Sequence, residues 1–546
     1  MVILPILITL LQQGIYAPPV DQLQSQHMEV RPNGVFLVEH NSSPKALNLG
    51  GSTSAASIGP RWQQDDLGLA WIGQRVAMGD SGAWMVGGKD LNNESFAAYA
   101  TGSASPLFDY SVVGASVVRP ATSNRSGHLA ALATFDTGGF VFQSTVYHWD
   151  RMNAGTPDWT ATLPVTGNVT AGFIDVNEDG SRTIAAVSNT NGTTHIRVFD
   201  ALGNITNSYD IAAPANIRFG AIDGRGNRLY LGLYNGFCEI YDLNTGLLLH
   251  SQSLGGSFDA HAFSNDGKTF AYGNFGGAFV VQETSPGIWA SVASRGGVSG
   301  SYIGQVALNA DGTRCGFAIQ RYTPAYDHLE IGMFDVTTGI DLFNNSLDAP
   351  GSSTQLLASG LDMDDAGDYL AGISWGDSLN LTPEVFVYDA SGALTSSVDT
   401  PGSAFGIDMD NDGDVVAVGT KSVHANISGN GGSILAVDTD DQDLHIVGLP
   451  QLGQPLSFET PSGANGFAFA LSTGLATSVG PFGIQEIDMG LAVFTSNTFA
   501  IPTGGLALSL TVPNNPVFLG QAMHAQGIRF GTNNTLTNKV SFDLVP

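Results

Sequence analysis

The chain has 546 residues, of which 69 are Gly, 43% are hydrophobic and only 13% are charged, with a formal charge of −29 at pH 7. That length exceeds one ordinary domain of roughly 100–200 residues, and the normal apolar fraction excludes a disordered chain. The acidity, together with the lack of any cluster of five or more Lys and Arg, argues against nucleic acid or an anionic membrane surface as partner and leaves cations and neutral polymers.

The first residues, "MVILPILITLLQQGIYAPPVDQ", hold an apolar run followed by a small residue at Ala17. This is the pattern of a secretory signal over 1–17, although a basic segment before the run is missing. The run is too short to span a bilayer, and no other stretch is long and apolar enough to do so, so the expectation is an exported protein that is not an integral membrane protein. Its place would be outside the cell, at the cell surface or in the periplasm.

Residues 18–67 form an N-terminal segment in which "EVRPNG" (29–34) precedes the apolar "VFLVEH". It matches the repeat described next and is expected to be either a degenerate further unit or a strand that closes a ring.

From 68 to 450 one short pattern recurs: a small or acidic residue, an apolar one, a polar one, two variable positions, then Gly. It reads "AMGDSG" at 77–82, "DVNEDG" at 175–180, "AIDGRG" at 221–226, "AFSNDG" at 262–267, "ALNADG" at 307–312, "DMDDAG" at 362–367 and "DMDNDG" at 408–413, with a weaker copy, "TSNRSG", at 122–127. The closing glycines recur every 41 to 55 residues. Apolar segments such as "TIAAVS" and "VVAVGT" follow the turns, and a further segment ends on Asp200, Asp242, Asp335, Asp389 or Asp438. Short β-rich segments between Gly/Asn/Asp turns, without a 3.6-residue period, predict an all-β chain. A period of 40–55 residues holding about four strands predicts the blades of a β-propeller, eight by count, with seven kept open. Small residues ahead of the turns, such as Gly172, Gly220, Ala262, Gly360 and Gly406, suit an innermost strand where blades crowd.

"AFSNDGKTFAYGNFGGAFVVQ" (262–282) resembles the blade of WD40/YVTN-like propellers. The resemblance covers roughly 68–450 and implies the fold rather than an activity. The GH and WD dipeptides of true WD40 blades are missing, so intracellular scaffolding does not transfer. From 451 to 546 the rhythm changes to alternating strands, which predicts a small β-sandwich. Its ending, "IPTGGLALSLTVPNNPVFLGQAMHAQGIRFGTNNTLTNKVSFDLVP", is similar to the C-terminal domain of large secreted proteins of planctomycete-type bacteria.

Three units carry Asp where the others carry a small residue: Asp175, Asp362 and Asp408, each followed two residues on by Asn177, Asp364 or Asp410. Alternating oxygen ligands before a turn Gly open many calcium loops, which makes Asp175, Asn177 and Asp179, and Asp408, Asp410 and Asp412, candidate Ca2+ ligands. The final acid is missing, since Ala186 and Gly419 stand where an EF-hand has Glu, and Thr183 and Val416 stand where an integrin-type loop has an acid. Plain hairpin chemistry, with Asp accepting local N–H groups, is the competing reading.

Cys238 and Cys315 fall in different repeat units and read as buried free thiols rather than a disulfide. His148 and His261 sit inside apolar strands and read as structural. Segments with Trp375, and with Tyr147, Trp149 and Trp159, are candidate sugar-stacking platforms. Motifs of nucleophilic, zinc-dependent or nucleotide-using enzymes are missing, and no catalytic residue is assigned. The function expected from the sequence is a secreted binding or surface-assembly protein without chemistry of its own. It would present a propeller face to extracellular polysaccharide or an envelope protein; the alternative is a propeller-fold glycan lyase or hydrolase that uses the axial channel.

Overall fold

The computed structural model describes residues 26–31, 34–39 and, with short interruptions, 60–544. The expected signal over 1–17 lies outside the described residues. Two compact units emerge, one of residues 52–441 and one that combines 1–51 with 442–546.

The larger unit is an eight-bladed β-propeller, each blade a four-stranded antiparallel sheet. The innermost strands, in order, are Arg75–Met78, Ala115–Thr122, Val169–Val176, Ile217–Ile222, His261–Phe263, Ser301–Leu308, Ala358–Met363 and Ala404–Met409. Each packs on the next, and Ala404–Met409 packs on Arg75–Met78, which closes the circle. A blade has two apolar faces, and eight separate apolar clusters lie between successive blades, one for every interface. Glycine on an innermost strand admits a neighbour: a Cβ on Gly220 would sit 2.5 Å from the Phe173 ring of the preceding blade.

The repeat has a backbone cause. All eight closing glycines, from Gly82 to Gly413, lie at φ between +65° and +75°, where other residues are strained. The third pattern residue caps the turn: Asp223 Oδ1 accepts from Asn227 and Arg228 N–H, and Asn309 Oδ1 accepts from Arg314 N–H at 2.8 Å. Arg182 and Arg228 then reach the closing glycine of the next blade, donating to Gly226 and Gly267 carbonyls at 2.9 and 2.8 Å.

The last blade takes only three strands from the end of the repeat: Ala404–Met409, Val415–Thr420 and Gly432–Asp438. Its fourth, Trp62–Asp66, comes from the N-terminal segment. Trp62 fills the closing core beside Tyr99, with ring centroids 5.2 Å apart, and its Nε1 donates to Thr101 O at 2.7 Å. Asp438, at the end of its third strand, binds Arg61 at 2.5 Å.

"EVRPNG" serves neither as a blade nor as the closing strand. Gln26–Arg31 pairs antiparallel with Gly34–Glu39 and parallel with Leu506–Thr511, in the sheet of the smaller unit. Because residues 62–66 supply the outer strand, the chain leaves the propeller after 441, earlier than position 450, and His445–Val447 already pairs with Pro455–Thr460 of the smaller unit. In that unit the sheets containing Pro455–Thr460 and Gly466–Ser472 share one core of Leu456, Phe458, Leu508, Phe467, Phe469 and Phe542. No helix among the described residues is long and apolar enough to cross a membrane.

Trp62→Ala is expected to cost the propeller about 3–5 kcal/mol, as for other buried aromatics, in denaturant unfolding. A change below about 0.5 kcal/mol, the range of ordinary surface substitutions, would show that the ring does not depend on its N-terminal strand.

Candidate functional site

Antiparallel blades give the propeller two faces. One carries the Gly-closed turns and the turns that follow the third strands. The other, the loop face, carries the connections between second and third strands and those between blades. Innermost strands such as Ile217–Ile222 and Ala404–Met409 are partly exposed along most of their length, whereas second strands such as Val415–Thr420 are buried.

The acidic positions lie near the turn face and work between blades. Asp175 accepts from Ile222 N–H at 3.3 Å, Asp362 from Met409 N–H at 2.7 Å, and Asp408 from Met78 N–H at 2.7 Å across the ring closure. Thr122, at the same repeat position, donates to Met78 O at 2.7 Å. The surrounding protein pushes the Asp175 carboxyl up to about 7. Burial raises Asp362 and Asp408 as well, and their carboxyls bond each other, which requires a shared proton.

Asn177, Asp364 and Asp410 cap turns instead, accepting from Arg182, Tyr369 and Val415 N–H. Asp179 accepts from Ser181 N–H and Asn177 Nδ2, while Asp412 is exposed. Of the six residues considered as calcium ligands, Asp175 and Asp408 latch blades, and Asn177, Asp179 and Asp410 bond within turns. Among the described residues no group of three or more His, Cys, Asp or Glu side chains is arranged to hold a metal ion.

The other sequence candidates fall mostly into packing. Cys238 and Cys315 are buried free thiols in blades 4 and 6, and burial pushes Cys238 up to about 12. His148 is buried, lowered to about 4 by that burial, and stacked on Trp159 at 4.9 Å. Trp149 is buried against Phe96 at 4.5 Å, between blades 1 and 2. His261 Nδ1 and the Tyr230 hydroxyl share a hydrogen bond at 2.8 Å. Only Trp375 reaches the loop face half-exposed.

The loop face holds what the sequence reading missed. Phe275, on the turn of blade 5, is 59% exposed and meets Tyr302 and Tyr322 of blade 6 edge-on, both at 5.8 Å; Tyr322 is 39% exposed. In blade 4 Tyr234 is 54% exposed under the Arg218 guanidinium, 5.0 Å from its ring centre. Arg218 is aimed there by a bulge at the loop-face end of its strand, and equivalent register shifts set out Gly304, Ser359 and Phe405 in blades 6, 7 and 8. "LYNGF" (233–237) and "NFGGAF" (274–279) carried the signal: each puts an aromatic where a two-strand turn ordinarily has a polar residue.

No protein-family model and no curated protein matches this chain. Among solved structures, Kuenenia stuttgartiensis hydrazine synthase is similar over 47% of this chain and 76% of that chain, with 16% identity and a TM-score of 0.36. The propeller here is defined by its own strand pairing.

A carboxyl whose pKa is raised on folding stabilises the fold fully below its ordinary pKa and loses that contribution as pH rises through the folded value. For Asp175 the loss runs from about 4 to about 7. The propeller is therefore expected to melt higher at pH 5 than at pH 8. Asp408→Asn, whose amide donates permanently to Asp362, should raise stability at pH 8 by on the order of 1–2 kcal/mol, roughly one pKa unit's worth, while Asp408→Ala lowers it at pH 5. EDTA should leave all three melting curves unchanged; a calcium-dependent melting temperature would assign these loops to calcium.

Proposed function

We propose that this chain is a secreted, non-catalytic binding protein of the WD40/YVTN-like propeller type that presents its loop face to a neutral extracellular polysaccharide. The observation that supports this reading is the aromatic patch of Phe275, Tyr302 and Tyr322. Three rings from two adjacent blades meet at the surface instead of in an inter-blade core. Clustered exposed rings mark a ligand surface, and sugar rings stack on aromatic faces while tyrosine hydroxyls meet their hydroxyl groups. The charge of −29 disfavours polyanionic glycans. Assembly with an envelope protein would use the same patch.

A glycan-cleaving activity is the second reading. Its support is a pair of acids in the loop of blade 7. Burial alone would raise Asp377, but donors from Ser353, Leu379 and Leu381 hold it low, while burial pushes Glu384 up to about 8. Pairs set apart in this way serve as base and acid in hydrolases. Both side chains are fully buried, which favours binding over cleavage.

The test is retention of residues 18–546 on cellulose, xylan, chitin and mannan, with analysis of released products. Retention is expected on at least one polymer, reduced roughly fivefold to a hundredfold by Phe275→Ala or Tyr322→Ala, the ~1–3 kcal/mol of an aromatic hot spot. Retention unaffected by both substitutions would move the ligand off this patch, and released oligosaccharide would establish the enzyme reading.

A further inference from the structure

Backbone hydrogen bonds mark one equivalent position at the loop-face end of the later blades. The residue that follows the second strand donates its N–H to the carbonyl just ahead of that blade's innermost strand: Tyr234 to Asn216 at 3.0 Å in blade 4, Tyr322 to Gly300 at 3.0 Å in blade 6, and Trp375 to Leu357 at 2.8 Å in blade 7. In blade 5 the same bond runs from Gly273 to Ala260 at 3.0 Å, and Phe275 follows two residues later on the turn. Four consecutive blades of the eight thus place an aromatic residue at, or two residues beyond, one point of the repeat. The series stops on both sides. Blade 8 has Lys421 there, donating its N–H to Ser403 O and turning its Nζ inward to the Ala425 and Ile427 carbonyls. Blade 3 ends its second strand on Asn189, whose N–H bonds Thr193 O within its own loop.

The rings of Tyr234, Phe275 and Tyr322 are exposed and that of Trp375 is partly so. Each is held in place by its surroundings. The Arg218 guanidinium lies against Tyr234, and Asn235 Oδ1 fixes that turn by accepting from Phe237 N–H at 3.1 Å. Asn274 pins the turn of Phe275, accepting from Gly276 N–H at 2.6 Å and donating to Leu254 O at 2.8 Å. Trp375 stands edge-on to His424 at 6.3 Å and beside Phe405 at 6.4 Å. Rings set in this way have little freedom to lose when a ligand arrives.

The turns between these rings keep charge out of the way. Residues 234–236 and 275–276 include no charged side chain. In blade 6 Arg321 pairs with Asp327 at 2.9 Å, and in blade 7 the Asp377 carboxylate accepts from Leu379 and Leu381 N–H. A small ligand is ordinarily enclosed in one concave pocket. A row of fixed, exposed rings on successive blades suits instead a polymer that repeats a neutral, stackable unit along its length.

We propose that the loop face binds its polysaccharide as an extended internal stretch of chain lying across blades 4 to 7, with Tyr234 and Trp375 as outer subsites on either side of the patch of Phe275, Tyr302 and Tyr322. The proposal rests on the polysaccharide reading above and adds a binding mode to it: affinity grows with chain length until the outer rings are engaged, and no chain end is required.

The experiment is calorimetric titration with the disaccharides and hexasaccharides of cellulose, xylan, mannan and chitin, on the wild type, Tyr234→Ala, Trp375→Ala, Trp375→Phe and Phe275→Ala, each checked for native circular dichroism. The hexasaccharide of the retained polymer is expected to bind at least about tenfold more tightly than its disaccharide, the ~1.4 kcal/mol of one added contact. Tyr234→Ala and Trp375→Ala should remove most of that gain and leave the disaccharide affinity unchanged, Trp375→Phe should keep the gain, and Phe275→Ala should weaken both lengths. Equal affinity for the two lengths, or Tyr234→Ala and Trp375→Ala binding the hexasaccharide like the wild type while Phe275→Ala weakens it, overturns the extended site and leaves the polysaccharide reading standing. Failure of the wild type to bind any of the sugars overturns both proposals.

Discussion

A four-stranded blade has two apolar faces and can cover neither alone, so every blade in this chain depends on having a neighbour on each side. The closing contact between blades 8 and 1 is the one that converts eight such dependencies into a stable body. Trp62, inserted from the N-terminal strand, joins Met78, Met85, Val415 and Ile434 in that contact. Arg61 with Asp438, and Asp408 with the Met78 N–H, hold its two ends. Both turn-face motifs, the acidic first position and the Gly-closed cap, serve the same purpose of joining successive blades.

The closed ring separates the faces by task. On the turn face, side-chain oxygens and arginines satisfy backbone groups of their own or the next blade, and the geometry repeats from blade to blade. The loop face is where the repeats diverge. Blades 4 and 5 expose Tyr234 and Phe275 on tight turns, blade 6 adds Tyr302 and Tyr322, and blade 7 has the longer connection 375–384. A rigid scaffold with one variable face is the arrangement on which binding sites are ordinarily placed.

The fold was readable in the sequence because its strongest requirement is local. A glycine at φ near +70° six positions into each motif leaves a trace that does not depend on distant contacts, and the small residues at 172, 220 and 360 mark the crowded axis in the same way. The boundaries were less readable, since the exchange of one outer strand for residues 62–66 is a long-range pairing with no local signature. "EVRPNG" shows the converse, a local pattern that matches the repeat while its strand pairs with Leu506–Thr511. The acids at 175, 362 and 408 stand out from the other repeats by sequence alone. Their bonds to the following blade could be seen only once the ring was assembled, because a calcium loop and an inter-blade latch share the same alternation of oxygens. The aromatic patch needs three residues from two blades, Phe275, Tyr302 and Tyr322, so spacing along the chain does not reveal it.

The central claim, that the loop face is the ligand surface, is tested most directly by hydrogen exchange of the full chain with and without a saturating retained polysaccharide. The account predicts slowed exchange over residues 274–277, 301–303 and 321–323 and unchanged exchange at the turns ending in Gly180, Gly267 and Gly413. Protection centred on those turns, or confined to the C-terminal unit, would contradict it.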